Sequence, residues 1–244
     1  MVMLHGFLQN LDVWSSFTLT YMRHIRVITI DLPGHGYSES YGEVHTMEFM
    51  ANAVKAVLDH VGVNKCVMAG HSLGGYVALA FAERYVHRLN GLILLHSHAM
   101  PDGEKSLLAR DEACRMALNN RAGFIVNFIT SLFEEKNRQV YSQEIRELLD
   151  QCLETKVESI VAAQRGMKLR KSQMGTLASF PHPMLFIYGK QDRRIPYLWG
   201  MTQASMAKHA EIALLENVGH MSFIEERQYV KKRMWDFVNQ CYMQ

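Results

Sequence analysis

Residues 65–77 read Lys65-Cys-Val-Met-Ala69-Gly70-His-Ser72-Leu-Gly74-Gly75-Tyr-Val77, an apolar run that breaks at a G-x-S-x-G and resumes with a helical pattern. The run Lys65–Ala69 predicts a strand, and Val77, Ala80, Phe81 and Tyr85 then recur on one helix face. A serine at the tip of a strand-to-helix turn sits in a strained backbone conformation, so its neighbours two residues away must be small. Gly70 and Gly74 meet that steric demand. Such a turn exposes the Ser72 hydroxyl and points the backbone N–H of Leu73, at the helix start, toward any oxyanion that forms.

Outward from this turn, short apolar runs alternate with helix-length stretches. Met1–Leu4 and Ile25–Asp31 predict strands, and Thr46 is placed to cap a helix that carries Met50, Val54, Val57, Leu58 and Val61 and ends at Gly62. Leu92–Leu95 is apolar enough for a strand buried on both faces. Between about Ala99 and Phe180 the alternation gives way to polar, charge-rich helices. It resumes with Met184–Tyr188 and Ala210–Leu215, and a last helix carries Val230, Met234, Phe237 and Val238. The expected fold class is α/β, a mostly parallel sheet with helices on both faces, with a core of residues 1–98 and 181–244 and a helical lid inserted over 99–180.

The composition suits a globular chain: 48% of the 244 residues are hydrophobic and 20% charged, which excludes disorder. A net charge of +2 without a long run of one sign gives no electrostatic footprint for nucleic acid or an anionic membrane. Cys66, Cys114, Cys152 and Cys241 lie far apart with no C-x-x-C, so neither a zinc site nor a redox dithiol is expected, and Cys66 reads as a core residue. No signal-peptide pattern opens the chain and no run approaches a membrane span, so a soluble cytoplasmic protein is the expectation.

A serine hydroxyl is a weak nucleophile at neutral pH, so a base and an orienting acid are sought downstream. Met184–Tyr188 leads into Gly189-Lys-Gln-Asp192, and Ala210–Leu215 leads into Glu216-Asn-Val-Gly-His220. The order Ser72, Asp192, His220 assigns nucleophile, acid and base, with Asp102 as a second possible acid. Leu4-His5-Gly6-Phe7 offers the Phe7 N–H as second oxyanion donor beside Leu73, with His5 as a structural hydrogen-bonding residue. Phe7, His71, His98 and Met221 are the expected pocket residues, and His96 and His98 are expected at the hinge or pocket rim rather than as metal ligands. Arg165, Lys168, Arg170 and Lys171 read as a solvated lid face. No complete P-loop, H-E-x-x-H or post-strand G-x-G-x-x-G occurs, so no cofactor and no metal are expected.

His5-Gly-Phe7, Asp31-Leu-Pro-Gly-His-Gly-Tyr-Ser38, Gly70-His-Ser-Leu-Gly-Gly75, Gly189-Lys-Gln-Asp192 and Gly219-His220 together resemble the α/β-hydrolase superfamily, and more narrowly its capped serine esterase/lactonase group, which includes enol-lactone hydrolases and pimeloyl-type methyl esterases. The resemblance implies a serine triad cleaving a small or medium ester, thioester or lactone between sheet and lid. C–C bond hydrolysis, acyl transfer, perhydrolysis, and a ligand-binding protein with little turnover are the alternatives. In one respect the chain departs from the resemblance: two family strands that precede the His-Gly strand are missing. Their absence leaves Arg26–Asp31 as an open sheet edge and suggests a truncated chain or edge-to-edge pairing, so that monomer and homodimer are both expected states.

Overall fold

A computed structural model describes residues 1–243. Six strands, β1 (Val2–Leu4), β2 (Ile28–Ile30), β3 (Cys66–His71), β4 (Leu89–Leu95), β5 (Met184–Gly189) and β6 (Ala210–Leu215), form one sheet in the order β2-β1-β3-β4-β5-β6. Every neighbouring pair is parallel, so each connection crosses a face of the sheet. The crossovers are helical: α1 (Ser15–Tyr21) joins β1 to β2, α2 (Met47–His60) joins β2 to β3, and α3 (Leu73–Tyr85) joins β3 to β4. Five helices separate β4 from β5: α4 (Glu104–Asn119), α5 (Arg121–Thr130), α6 (Ser142–Cys152), α7 (Val157–Lys168) and α8 (Met174–Ser179). Next, α9 (Tyr197–Ala204) joins β5 to β6, and α10 (Ser222–Glu225) and α11 (Arg227–Met243) follow.

All residues of β3 and β5 are buried, whichever face they point to. Central strands of a parallel sheet have no wet face, which is why their sequences run apolar without alternating. One covering layer is α3, lying on β1, β3 and β4 with α2 packed beside it. The other is α11 on β4 and β5, where Phe237 and Cys241 pack over Gly91. Tyr21 of α1 joins that layer by stacking on Trp235 at 5.6 Å and donating its hydroxyl to the Lys231 carbonyl at 2.7 Å. The expected start of α2 is present, with Thr46 Oγ1 accepting the Phe49 N–H at 3.1 Å.

The strand expected over Ile25–Asp31 is only the three residues of β2, which pairs with β1 alone and forms one edge of the sheet. Its half-buried Ile28 and Thr29 differ from the fully covered β3 for that reason. Register aligns the carboxyl ends of the strands: Leu4 lies beside Gly70, Gly70 beside Leu94, Leu95 beside Ile187 and Gly189 beside Leu215. The loops that follow β1, β3, β4, β5 and β6 therefore open on one edge. That edge is where a parallel α/β sheet presents its functional groups.

Candidate active site

Ser72 stands between the end of β3 and the start of α3 with φ +51° and ψ −112°. A side chain is strained there, and the surrounding contacts hold it in place. The Ser72 N–H donates to the Leu95 carbonyl at 2.9 Å, while the Ser72 carbonyl accepts from Gly75 N–H at 2.9 Å and from the Ser97 hydroxyl at 2.9 Å. The two flanking glycines are steric necessities. A Cβ at Gly70 would collide with the Gly74 carbonyl, and one at Gly74 would press on the carbonyls of Leu4 and His5. Leu73 is the first residue of α3, so its N–H is among the donors that no intrahelical carbonyl can take.

Asp192 and His220 meet on the same edge. His220 donates from Nδ1 to Asp192 Oδ2 at 2.7 Å, and both side chains are almost fully buried. The other carboxylate oxygen accepts the backbone N–H groups of Arg194 at 2.8 Å and Ile195 at 3.0 Å, which fixes the acid in its turn. Burial alone would raise the Asp192 carboxyl, but the neighbouring His220 and the hydrogen bonds from His220 and His96 outweigh it and hold the group well below the usual carboxylate range. Burial pushes His220 down, and Asp192 opposes that shift without cancelling it. His220 is therefore poised neutral, with Nδ1–H on Asp192 and Nε2 left as an acceptor.

His96 was expected at the hinge or pocket rim and is instead fully buried, donating from Nδ1 to the same Asp192 Oδ2 at 2.8 Å. Among the described residues, His96, Asp192 and His220 are the one group of three potential metal ligands with donor atoms within 4.8 Å. Both imidazole nitrogens that face the carboxylate are engaged with it as hydrogen-bond partners. His5 donates from Nδ1 to the Gly6 carbonyl at 2.8 Å and accepts the Leu32 N–H on Nε2 at 2.9 Å, the bonding of a neutral structural imidazole.

A cavity of about 510 Å³ lies over this edge, lined at its base by Phe7, Ser72 and His220. Helices α4, α5 and α7 form its far wall with Arg110, Met116, Phe124, Phe128 and Met167, while Trp199 and His98 flank it. Of the expected pocket residues, Phe7 and His98 are on this wall. His71 and Met221 are not: His71 is buried and donates from Nε2 to the His220 carbonyl at 2.9 Å, supporting the base from behind, and the Met221 sulfur accepts from Gln9. Asp102 reaches the cavity but is committed to Arg110 and Arg170, the latter at 2.7 Å, and it makes no ion pair with a histidine. Burial raises the Asp102 carboxyl and these two guanidiniums more than offset it, so the second candidate for the acid is an ion-pair partner that ties the start of the segment between β4 and β5 to α4 and to the end of α7. Arg170 accordingly leaves the expected solvated face and is buried over the Tyr76 ring at 4.2 Å, whereas Arg165 and Lys168 do lie at the surface.

A parallel sheet with a strained serine after its third strand, and carboxylate and histidine loops beside it under a helical cover, defines a class of α/β hydrolases. Residues 1–227 match the model of the α/β hydrolase fold family, and the chain belongs to that family. It is similar to an esterase from Thermogutta terrifontis solved with malate bound, at 28% identity and a TM-score of 0.93, covering 98% of this chain and 89% of that one. It is 27% identical to the pimeloyl-[acyl-carrier protein] methyl ester esterase of Aeromonas hydrophila over 93% of this chain and 91% of that protein. It is 28% identical to the dihydrolipoyllysine-residue acetyltransferase component of the acetoin cleaving system of Pseudomonas putida over 98% of this chain, and spans 63% of that protein's length. No described helix is long and apolar enough to cross a membrane.

Proposed function

We propose that the protein hydrolyses small or medium carboxylic esters, thioesters or lactones through an acyl-enzyme on Ser72. The observation that carries this is the convergence on one cavity of a strained serine and a histidine whose far nitrogen is bonded to a buried carboxylate. In this mechanism His220 Nε2 takes the Ser72 proton as Oγ attacks the acyl carbon, and Asp192 keeps the required tautomer and stabilises the imidazolium. The Phe7 and Leu73 N–H groups hold the tetrahedral oxyanion, the latter at a helix N-terminus where negative charge is favoured. His220 returns the proton to the departing alkoxide or thiolate, then activates a water that releases the acid and regenerates Ser72.

A cavity of about 510 Å³ suits small and medium acyl or alcohol groups, and its Phe7, Phe124 and Phe128 rings favour apolar ones. Esterase relatives at 27% and 28% identity support the choice of bond. The test is p-nitrophenyl ester hydrolysis across acyl lengths, with fluorophosphonate labelling read by peptide mass. Parent protein is expected to turn over and to carry the label on Ser72, with Ser72→Ala and His220→Ala each losing at least about 10³-fold in kcat/KM. Folded parent protein that takes no label at Ser72 would point instead to a binding protein on this fold.

A further inference from the structure

We infer that His96 is a positioning residue of the triad: its imidazole N–H shares the Asp192 oxygen that holds His220, and so keeps His220 a neutral, working base to lower pH. This rests on the serine-hydrolase reading above and deepens it. Leu8, Ser72 and His96 are the described non-glycine residues with positive φ, and two of these three lie in the site. His96 has φ +49°, with its N–H donated to the Ile187 carbonyl at 2.9 Å, and this conformation turns the ring toward Asp192. The ring is fully buried, and its Nε2 has no hydrogen-bond partner. A strained backbone and an orphaned buried nitrogen are both unfavourable. Packing alone does not explain the orphaned nitrogen, since an apolar residue would fill the same space without it. What the histidine adds is the 2.8 Å bond to the acid.

The effect on the base follows from electrostatics. Asp192 Oδ2 receives both imidazole N–H groups, at 2.8 and 2.7 Å, and Oδ1 receives two backbone N–H groups. A carboxylate whose charge is spread over four donors stabilises an adjacent imidazolium less than one that serves His220 alone. The His96 ring lies 5.2 Å from the His220 ring, and its presence there also disfavours protonation of His220. The remaining titratable groups around it are His71 from β3, with ring centres 5.9 Å apart, and Tyr188 from β5 at 6.2 Å, while Arg194 acts on His220 from the loop after β5. All of these except Asp192 are neutral or cationic, so His96 adds to a surrounding that disfavours the imidazolium. General-base activity is lost as pH falls through the His220 pKa, and removing His96 moves that limb upward.

The experiment compares His96→Asn with His96→Leu. Asn has nearly the shape of Leu, tolerates positive φ and keeps an N–H where Nδ1 was, whereas Leu removes the donor. The acid limb of kcat/KM for a p-nitrophenyl ester is expected to rise by about one pH unit in His96→Leu and to stay within about 0.3 unit of the parent in His96→Asn. A loss of rate at every pH, with the limb unmoved in His96→Leu, would show that the ring is only packing and overturn the inference. His96→Gly, which is free of the backbone strain, takes the place of His96→Leu if the latter does not fold, with the same expected shift. A titration of the His220 Cε1–H resonance in Ser72→Ala, with and without His96→Leu, reads the same displacement without turnover. If the parent hydrolyses no ester, the hydrolase reading fails while this titration still decides the role of His96.

Discussion

At the residue scale the site depends on a serine held where side chains are disfavoured. Replacing Ser72 by alanine removes the proposed nucleophile but keeps the Cβ and hence the strain at φ +51°. Glycine removes both. In an ordinary position glycine is the less stable choice, by about 0.5–1 kcal/mol, because the unfolded chain gains freedom. Here relief of about 1–3 kcal/mol of backbone strain opposes that loss. Ser72→Gly is therefore expected to melt about 2–4 °C above Ser72→Ala, with both inactive. A Ser72→Gly protein that melts about 1–4 °C below Ser72→Ala, the full ordinary glycine penalty, would mean that the elbow stores no strain. The same scale shows what a sequence can disclose. Ser72, Asp192 and His220 stand out as candidates in the sequence because each follows a strand, in a fixed order, with small residues where the backbone must pass closely. His96 follows a strand as well, but its partner is 96 residues away and only the fold reveals the 2.8 Å contact. His71 and Met221, expected in the pocket, are chain neighbours of Ser72 and His220. Adjacent side chains need not share a direction, and these two point behind the wall that their neighbours line.

At the scale of elements, legibility tracks burial. β3, β4 and β5 are covered on both faces and announce themselves as unbroken apolar runs, while the edge strand β2 is shorter than the run that contains it. Helix α1 buries only Phe17 and Tyr21, and α9 buries Gly200 and Gln203, so neither carries an apolar stripe long enough to read. The cover over the cavity meets the rest of the chain at several places, among them the His220 N–H donated to the Leu132 carbonyl at 2.7 Å, and one of these contacts is especially close. Gly166 of α7 lies directly against the His45 carbonyl, and the His45 N–H donates to Ala162 of the same helix at 2.9 Å. A methyl group at Gly166 must push α7 away from that loop, and α7 carries Gln164 and Met167 into the cavity. Gly166→Ala is expected to cost about 1–3 kcal/mol and to raise KM more than it lowers kcat. Gly175 in α8 is the control, since a Cβ there meets nothing within 4 Å, and Gly175→Ala is expected to stabilise by about 0.4–1 kcal/mol. If both substitutions act alike, the close approach at Gly166 is not what seats the cover.

For the whole molecule, the unusual feature is how many histidines are buried and neutral. Burial depresses His5 to about 4, His35 to about 3 and His98 to about 3, the last with help from the Arg170 charge, and it carries His71 well below its ordinary value too. Their sites are dispersed: His5 and His35 pack together, 5.1 Å between ring centres, while His98 lies under the cover beside Trp199. Each of these folded-state values lies below the unfolded value of about 6.5, so on acidification the unfolded chain takes up protons first. Their contribution is thus undiminished above pH 6.5 and declines as the pH falls from there toward the folded values. At pH 5 His5, His35 and His98 each weigh against the native state by about 2 kcal/mol, and together by about 6 kcal/mol. Domains are stable by only about 5–15 kcal/mol, so that loss is large enough to bring the fold near its limit. Asp192 acts later, because a carboxyl held below its ordinary range loses its contribution only as pH drops below about 4. Urea unfolding is therefore expected to give similar stabilities at pH 8 and 7, a steep decline from pH 6.5 to 5, and a shallower decline in His35→Gln, which cannot take up the proton. A stability that stays level down to pH 5 would require these histidines to be hydrated in the native protein, contrary to their burial beneath the sheet edge and the cover.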